Sequence, residues 1–290
     1  MKKIIYFLTL IMLLLMVSCS RKEYSSEVLY PLKDWVEIAN NIYVNTGEYF
    51  KVNSVLVVDG KEAVLIDTGY DKIEGERIKN FIDENDITLK NIIITHNHSD
   101  HTSNISLFNL PNEMIIKKSS NSDGIVIKVG DKNLRLIDTY GHNLDNHLSV
   151  EIVEDNILVA GDVYVTNLLP LLNYGGTSKL KSTLMMIKEK NYNIIIPGHG
   201  DIIDTKSGIK RQIDYIDNVE KAIVKLNNQY GKPIDKNNLR EFQKYLNSNI
   251  NVFDCIPNDL NIDFNIDKAA SDHKLNIRVI ADYILPQKDN

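Results

Sequence analysis

Four potential metal ligands fall within six consecutive positions, His96-Asn97-His98-Ser99-Asp100-His101, directly after the apolar run Ile92-Ile93-Ile94-Thr95. This constrains the fold strongly, because a buried strand must end at a rim where polar groups gather. In an extended segment residues i and i+2 point the same way. His96 and His98 can therefore grip one ion, while Asp100 and His101, just round the turn, face a second. Imidazole and carboxylate ligands suit zinc, with iron or manganese as substitutes. The chain has only seven histidines, so a chance cluster in a polar loop explains this spacing poorly.

The flanking sequence predicts what carries that rim. Strand-like stretches run over residues 35–38, 42–45, 54–58 and 63–67, with Asp59-Gly60 as a hairpin turn signal between the last two. Residues 73–84 read as an amphipathic helix with Ile73, Ile78, Phe81 and Ile82 on one side. Further strands are expected at 92–95, 114–117, 125–129, 134–138, 148–153, 157–160 and 194–196, and a helix at 178–190. From Lys206 onward the pattern is mainly helical, through Leu226, then 236–246 and 271–285. Many strands with interspersed helices predict an α/β fold of sheets covered by helices.

A two-metal site needs ligands beyond the cluster, and strand ends supply them. Gly141-His142 follows the apolar run at 134–138, Gly161-Asp162 the run at 157–160, and Gly198-His199 the run at 194–196. Glycine before each ligand lets the backbone turn tightly and approach an ion closely. Singly, such pairs read as ordinary turns. Together with the cluster they place five of the seven histidines at strand ends.

In order along the chain, Asp67-Thr68-Gly69, His96 to His101, Gly141-His142, Gly161-Asp162 and Gly198-His199 resemble the motif series of the metallo-β-lactamase fold superfamily. The resemblance covers roughly residues 35–207, and the stretch from His273 to Tyr283 looks like the C-terminal helix of some family hydrolases. It implies a four-layer αββα sandwich at 34–207 and a mainly helical C-terminal extension at 208–290. It further implies that His96, His98 and His142 bind a first zinc, that Asp100, His101 and His199 bind a second, and that Asp162 bridges them. Asp67 would orient ligands without binding metal. Thr102-Ser103-Asn104 departs from the small, glycine-containing residues usual after the cluster, although Thr102 or Ser103 could cap the helix there.

The implied chemistry is hydrolysis of a small-molecule ester, thioester, lactone or related bond by a metal-bridging hydroxide, with Asp100 orienting it and shuttling its proton. A bridging Asp162 favours a glyoxalase-II-like or lactonase-like enzyme over a true β-lactamase. The loop Gly141 to Asn146 pulls the other way, since it resembles the lactamase version. A di-iron redox protein and a catalytically silent metal-binding lipoprotein are the remaining alternatives. Tyr164, and Tyr174 in the segment from Asn167 onward, are candidate substrate contacts. His147 and His273 are expected to be structural, His147 facing solvent or packing near the metal loop.

The amino terminus reads as targeting sequence. Lys2 and Lys3 precede an uncharged apolar run of ~14 residues, short for a membrane span. Met16-Val17-Ser18-Cys19 resembles a bacterial lipobox, implying a signal peptide at 1–18, lipidation of Cys19, a tether at 19–33 and export to a membrane surface. An ordinary cleaved signal or an uncleaved anchor would also export the chain. A lipidated Cys19 leaves Cys255 alone, so no intramolecular disulfide forms and stability must come from a core. The net charge of −6 argues against a nucleic-acid partner.

Overall fold

Strands that are apolar on both faces force a layered architecture, and this chain has two sheets of them. A computed structural model describes residues 35–141, 147–172, 176–202, 205–235, 237–257 and 266–285. The first sheet runs in chain order through β1 (Val36–Ala39), β2 (Ile42–Thr46), β3 (Asn53–Asp59), β4 (Glu62–Ile66), β5 (Thr88–Ile93) and β6 (Ile115–Ile116). It is antiparallel up to β4 and parallel across β4–β5–β6. The second comprises β7 (Val126–Val129), β8 (Lys132–Thr139), β9 (His147–Ile152), β10 (Ile157–Val165) and β11 (Ile194–His199), antiparallel except for the β10–β11 pair.

Side-chain alternation sorts each strand between two cores. Val55, Val57, Val64 and Ile66 point inward and meet Leu136 and Val150 of the second sheet. Their neighbours Leu56, Val58, Ala63 and Leu65 point outward and pack on Ile78 and Ile82 of α1 (Lys72–Glu84). The outer face of the second sheet, through Leu158, Ala160 and Ile195, is covered by α3 (Thr177–Lys190) and by the C-terminal helices α4 (Thr205–Tyr230), α5 (Leu239–Asn249) and α7 (Ile266–Ile284). Two short helices, α2 (Ser99–Thr102) and α6 (Val252–Cys255), complete the described set. The result is the αββα sandwich with a helical extension, and α4 runs through residues 207 and 208, so the two parts share a helix and a core.

Several local expectations change. Ile73 is 68% exposed rather than on the buried face of α1. Five residues separate it from Ile78, which turns it about 140° round the helix. β10 and β11 do not stop before their glycines: parallel pairing continues, with Gly161 opposite Pro197 and Val165 opposite His199, through two register shifts. Asp162 and His199 therefore lie within strands. Neither Thr102 nor Ser103 starts α2, whose N-cap is His98; Ser103 is its C-cap. Their hydroxyls donate back to the carbonyls of His98 (2.9 Å) and Ser99 (2.6 Å). The expected leader, tether and lipidated Cys19 lie outside the described residues. Among the described residues no helix is long and apolar enough to cross a membrane.

Candidate metal centre

β5 ends at Ile93, and the chain leaves the sheet with Ile94 N–H donating to the Ile116 carbonyl at 2.8 Å. The next residues carry the ligand cluster, and Asp67, at the end of β4, fixes its geometry. Its φ of +59° is the left-handed region, which aspartate tolerates better than most residues. The Asp67 carboxylate accepts from Thr95 N–H at 2.8 Å and Thr95 Oγ1 at 2.7 Å, and lies 2.8 Å from His101 Nδ1. A carboxylate only accepts, so Nδ1 carries the proton and Nε2 of His101 presents its lone pair inward. The Thr68 N–H and hydroxyl hold the His101 carbonyl from the other side, at 2.9 and 3.0 Å.

Across the rim, His199 is oriented by the same logic. Its Nδ1 donates to the Phe50 carbonyl at 2.8 Å, which turns Nε2 to within 3.2 Å of Asp162 Oδ1 and 3.4 Å of Asp100 Oδ2. His101 Nε2 reaches Asp162 Oδ1 at 3.3 Å, and His96 Nε2 reaches Asp162 Oδ2 at 3.5 Å. One carboxylate thus faces both sides of the site with different oxygens. A Cβ at position 198 would sit 2.2 Å from Asp162 Oδ1, so only glycine lets β11 approach this closely.

The donors fall into two groups, His96 with His98 and Asp162, and Asp100 with His101 and His199, each with ligand atoms within 4.8 Å of one another. His101 Nε2 is fully buried and makes no hydrogen bond among the described residues. A donor set of inward imidazole nitrogens and carboxylate oxygens around such an atom fits divalent zinc. With no cation placed among them, the carboxylates act on the imidazoles as counter-ions. Burial disfavours the imidazolium form of His101, but the Asp67 and Asp162 carboxylates outweigh it and hold its pKa well above the ordinary histidine value. His199 is likewise raised against burial, chiefly by Asp162. Burial pushes Asp162 up, yet His199, His101 and His96 together hold it well below the usual carboxylate range.

Of the sequence-predicted residues, His96, His98, Asp100, His101, Asp162 and His199 come together here with Asp67 behind them. His142 and Tyr174 lie outside the described residues. Tyr164 is not at the site: it is fully buried in the helical core, where a Cβ on Gly208 of α4 would come within 1.9 Å of its hydroxyl. Alternation along β10 turns Asp162 and Val163 to opposite faces, and the following register shift keeps Tyr164 on the helix side. His147 is buried with its ring stacked on His96 at 4.3 Å, so it packs at the metal loop rather than facing solvent. His273 is buried on α7 and bonds Tyr215 at 2.9 Å.

Sequence reading missed the residues that brace this rim. Asn53 donates to the carbonyls of Pro197 and Gly200, both at 2.9 Å, tying β3 to the His199 turn. Asn104 donates to those of Thr68, Gly69 and Asp71 at 2.9, 3.2 and 2.9 Å. Its place in the departure from the family pattern was the available signal. Above the centre opens a cavity of about 520 Å³. His98, Asp100, Asp162 and His199 form its floor, the aromatic trio Tyr49, Phe50 and Tyr70 one wall, and Leu168, Leu169 and Leu171 another. Lys268 and Asp272 reach it from α7.

Residues 47–109 match the family model described as "Metallo-beta-lactamase superfamily". Curated relatives include proteins named as a hydrolase and as thioesterases, beside others named lactamase-like. A hydroxyacylglutathione hydrolase of Vibrio vulnificus is 36% identical over 121 residues, 37% of this chain and 45% of that protein. An atrochrysone carboxyl ACP thioesterase of Aspergillus terreus is 28% identical over 180 residues, 56% of this chain and 53% of that protein. The chain spans about half the length of the curated relatives it matches. Among solved structures, a metallo-beta-lactamase family protein from Thermus thermophilus superposes with a TM-score of 0.58 at 17% identity, over 72% of this chain and 88% of that one. That likeness concerns the fold.

Proposed function

We propose that this chain, a member of the metallo-beta-lactamase superfamily by its matched segment and its fold, is a dinuclear zinc hydrolase of a small-molecule ester or thioester. The observation that carries this reading is the convergence of His96, His101 and His199 on the two oxygens of Asp162. Relatives named as a hydroxyacylglutathione hydrolase and as ACP thioesterases support the thioester class.

His96, His98 and Asp162, with His142 of the sequence motif, would hold one ion; Asp100, His101 and His199 would hold the other, shared through Asp162. Metals bound there supply Lewis-acid polarisation of the scissile carbonyl and a water acidified toward neutral pH. The protein does the rest. Asp67 and the Phe50 carbonyl lock the ring tautomers, so Nε2 faces the centre without reorganisation. Asp100 lines the cavity with its side chain 19% exposed, placed to accept a proton from water and return it to the leaving group. The apolar walls exclude bulk water from the reacting bond.

Elemental analysis together with a His98→Ala variant tests this. We expect about two zinc ions per chain, and in the variant a loss of metal with thioester turnover down at least a hundredfold, as removal of one metal ligand predicts. Full metal content with unchanged turnover in the variant would sink the assignment. The amino-terminal pattern extends the proposal to an exported protein held at a membrane through lipidated Cys19. Its check is incorporation of labelled palmitate into the whole chain, abolished by Cys19→Ser.

A further inference from the structure

The cavity wall beside the metal centre holds a lysine in an unusual conformation. Among the described residues with a side chain and positive φ, all are Asn or Asp except Lys51, at φ +52°. Asn and Asp visit this left-handed region readily, and lysine does not. Such an outlier, kept at a site, is a pointer to function. The segment around it is wired to the metal-ligand turn. Phe50 accepts from His199 Nδ1 at 2.8 Å, Gly200 N–H donates to the Lys51 carbonyl at 2.9 Å, and Val52 pairs with His199 as an isolated antiparallel bridge. The Lys51 backbone is thus held at a fixed place relative to His199.

The cavity's charges single it out further. Lys268 is paired with Asp272 at 2.6 Å, and Glu48 with Arg77 at 3.3 Å. Asp162 is engaged by three imidazoles. Lys51 lines the same cavity, half-buried, with no carboxylate partner among the described residues. Asp100, the other carboxylate of the floor, is within 3.4 Å of His199 and 3.9 Å of His101, so the Lys51 ammonium is left to pair with an anionic group of a ligand, such as a carboxylate. The remaining walls, Tyr49, Phe50 and Tyr70 facing Leu168, Leu169 and Leu171, suit an aryl or branched alkyl group.

We infer that Lys51 is a specificity-determining residue that binds a carboxylate of the substrate, and that the substrate is an apolar ester or thioester bearing one such group close to the scissile carbonyl. This rests on the hydrolase reading for the reaction, and on the cavity alone for the anion.

The test uses the zinc-loaded full chain and a matched pair of non-hydrolysable probes: a benzyl thioether ending in a carboxylate and the same thioether ending in a primary amide. Lys51→Asn removes the cation while suiting the left-handed backbone, so it folds; Lys51→Arg keeps the cation. Calorimetry should show carboxylate-probe affinity at least tenfold weaker in Lys51→Asn and within threefold of wild type in Lys51→Arg, with the amide probe shifted less than twofold in both. Equal shifts for both probes, or none, overturn the anion site. The preference for a carboxylate thioester over its neutral counterpart, in kcat/KM, should fall about tenfold in Lys51→Asn. If the probes behave as expected but no ester or thioester is turned over, the hydrolase reading fails and the anion site stands. If thioesters are turned over with no preference that depends on Lys51, the reverse holds.

Discussion

Asn104 shows how much one side chain can organise. Its amide sits against three carbonyls of the 68–71 turn, and its backbone N–H reaches Thr68 Oγ1 at 3.3 Å. That turn carries Asp67 behind His101 at one end and Tyr70 into the cavity at the other. Gly75 of α1 makes room for it, since a Cβ there would lie 2.3 Å from Asn104 Cγ. Asn104→Ala leaves buried carbonyls without a donor and should cost about 2 kcal/mol, measured by urea unfolding, with zinc affinity falling as the Asp67 turn loosens. Gly75→Ala should destabilise comparably, and the double variant should be less than additive because the small residue at 104 removes the clash. The residue is visible in the sequence only as a break in a familiar pattern. What it does depends on Thr68, Gly69 and Asp71, more than thirty positions away, which no local periodicity encodes.

Among the elements, α7 is the one whose role spacing could not reveal. Asn276 accepts from Leu172 N–H at 2.9 Å and donates to the Pro170 carbonyl at 2.8 Å, bracketing Leu171 of the cavity wall. Tyr215 of α4 joins it at 3.1 Å and passes the network to His273. Asn276→Ala should therefore raise KM severalfold while zinc content stays at the wild-type level, read by steady-state kinetics beside elemental analysis. Burial holds the His273 imidazole down at about 4, against an ordinary value of 6.5. The folded state keeps it neutral, so its contribution to stability is complete above about pH 6.5 and is lost as pH falls toward 4. Between pH 7 and pH 5 this amounts to about 2 kcal/mol. Unfolding free energies of wild type and His273→Gln, from urea titrations, should converge over that interval by this amount. Helix and strand positions were largely legible, because apolar runs and alternation are local signals. The ends of β10 and β11 were not, since their extension past Gly161 and Gly198 is a matter of pairing between strands more than thirty residues apart.

For the whole molecule, the layered fold followed from strands apolar on both faces, and the ligands from histidines at strand ends. The cavity did not follow. Its walls come from the β2–β3 turn, from the turn after β4, from the segment after β10 and from α7, which meet only because both sheets and the helical layer pack together. Nothing near Lys51 in sequence announces Lys268 as its neighbour across a cavity. The same packing has a mechanical consequence. His96, His98, Asp100 and His101 hang from the end of the first sheet, whereas Asp162 and His199 belong to the second. An ion shared by them would be a rivet through both halves of the sandwich, and the halves could not part without shearing it. Chelator-driven metal release should then slow in step with the rate at which the whole domain opens, and loaded protein should outlast stripped protein under protease by the margin that bound metal adds to folding.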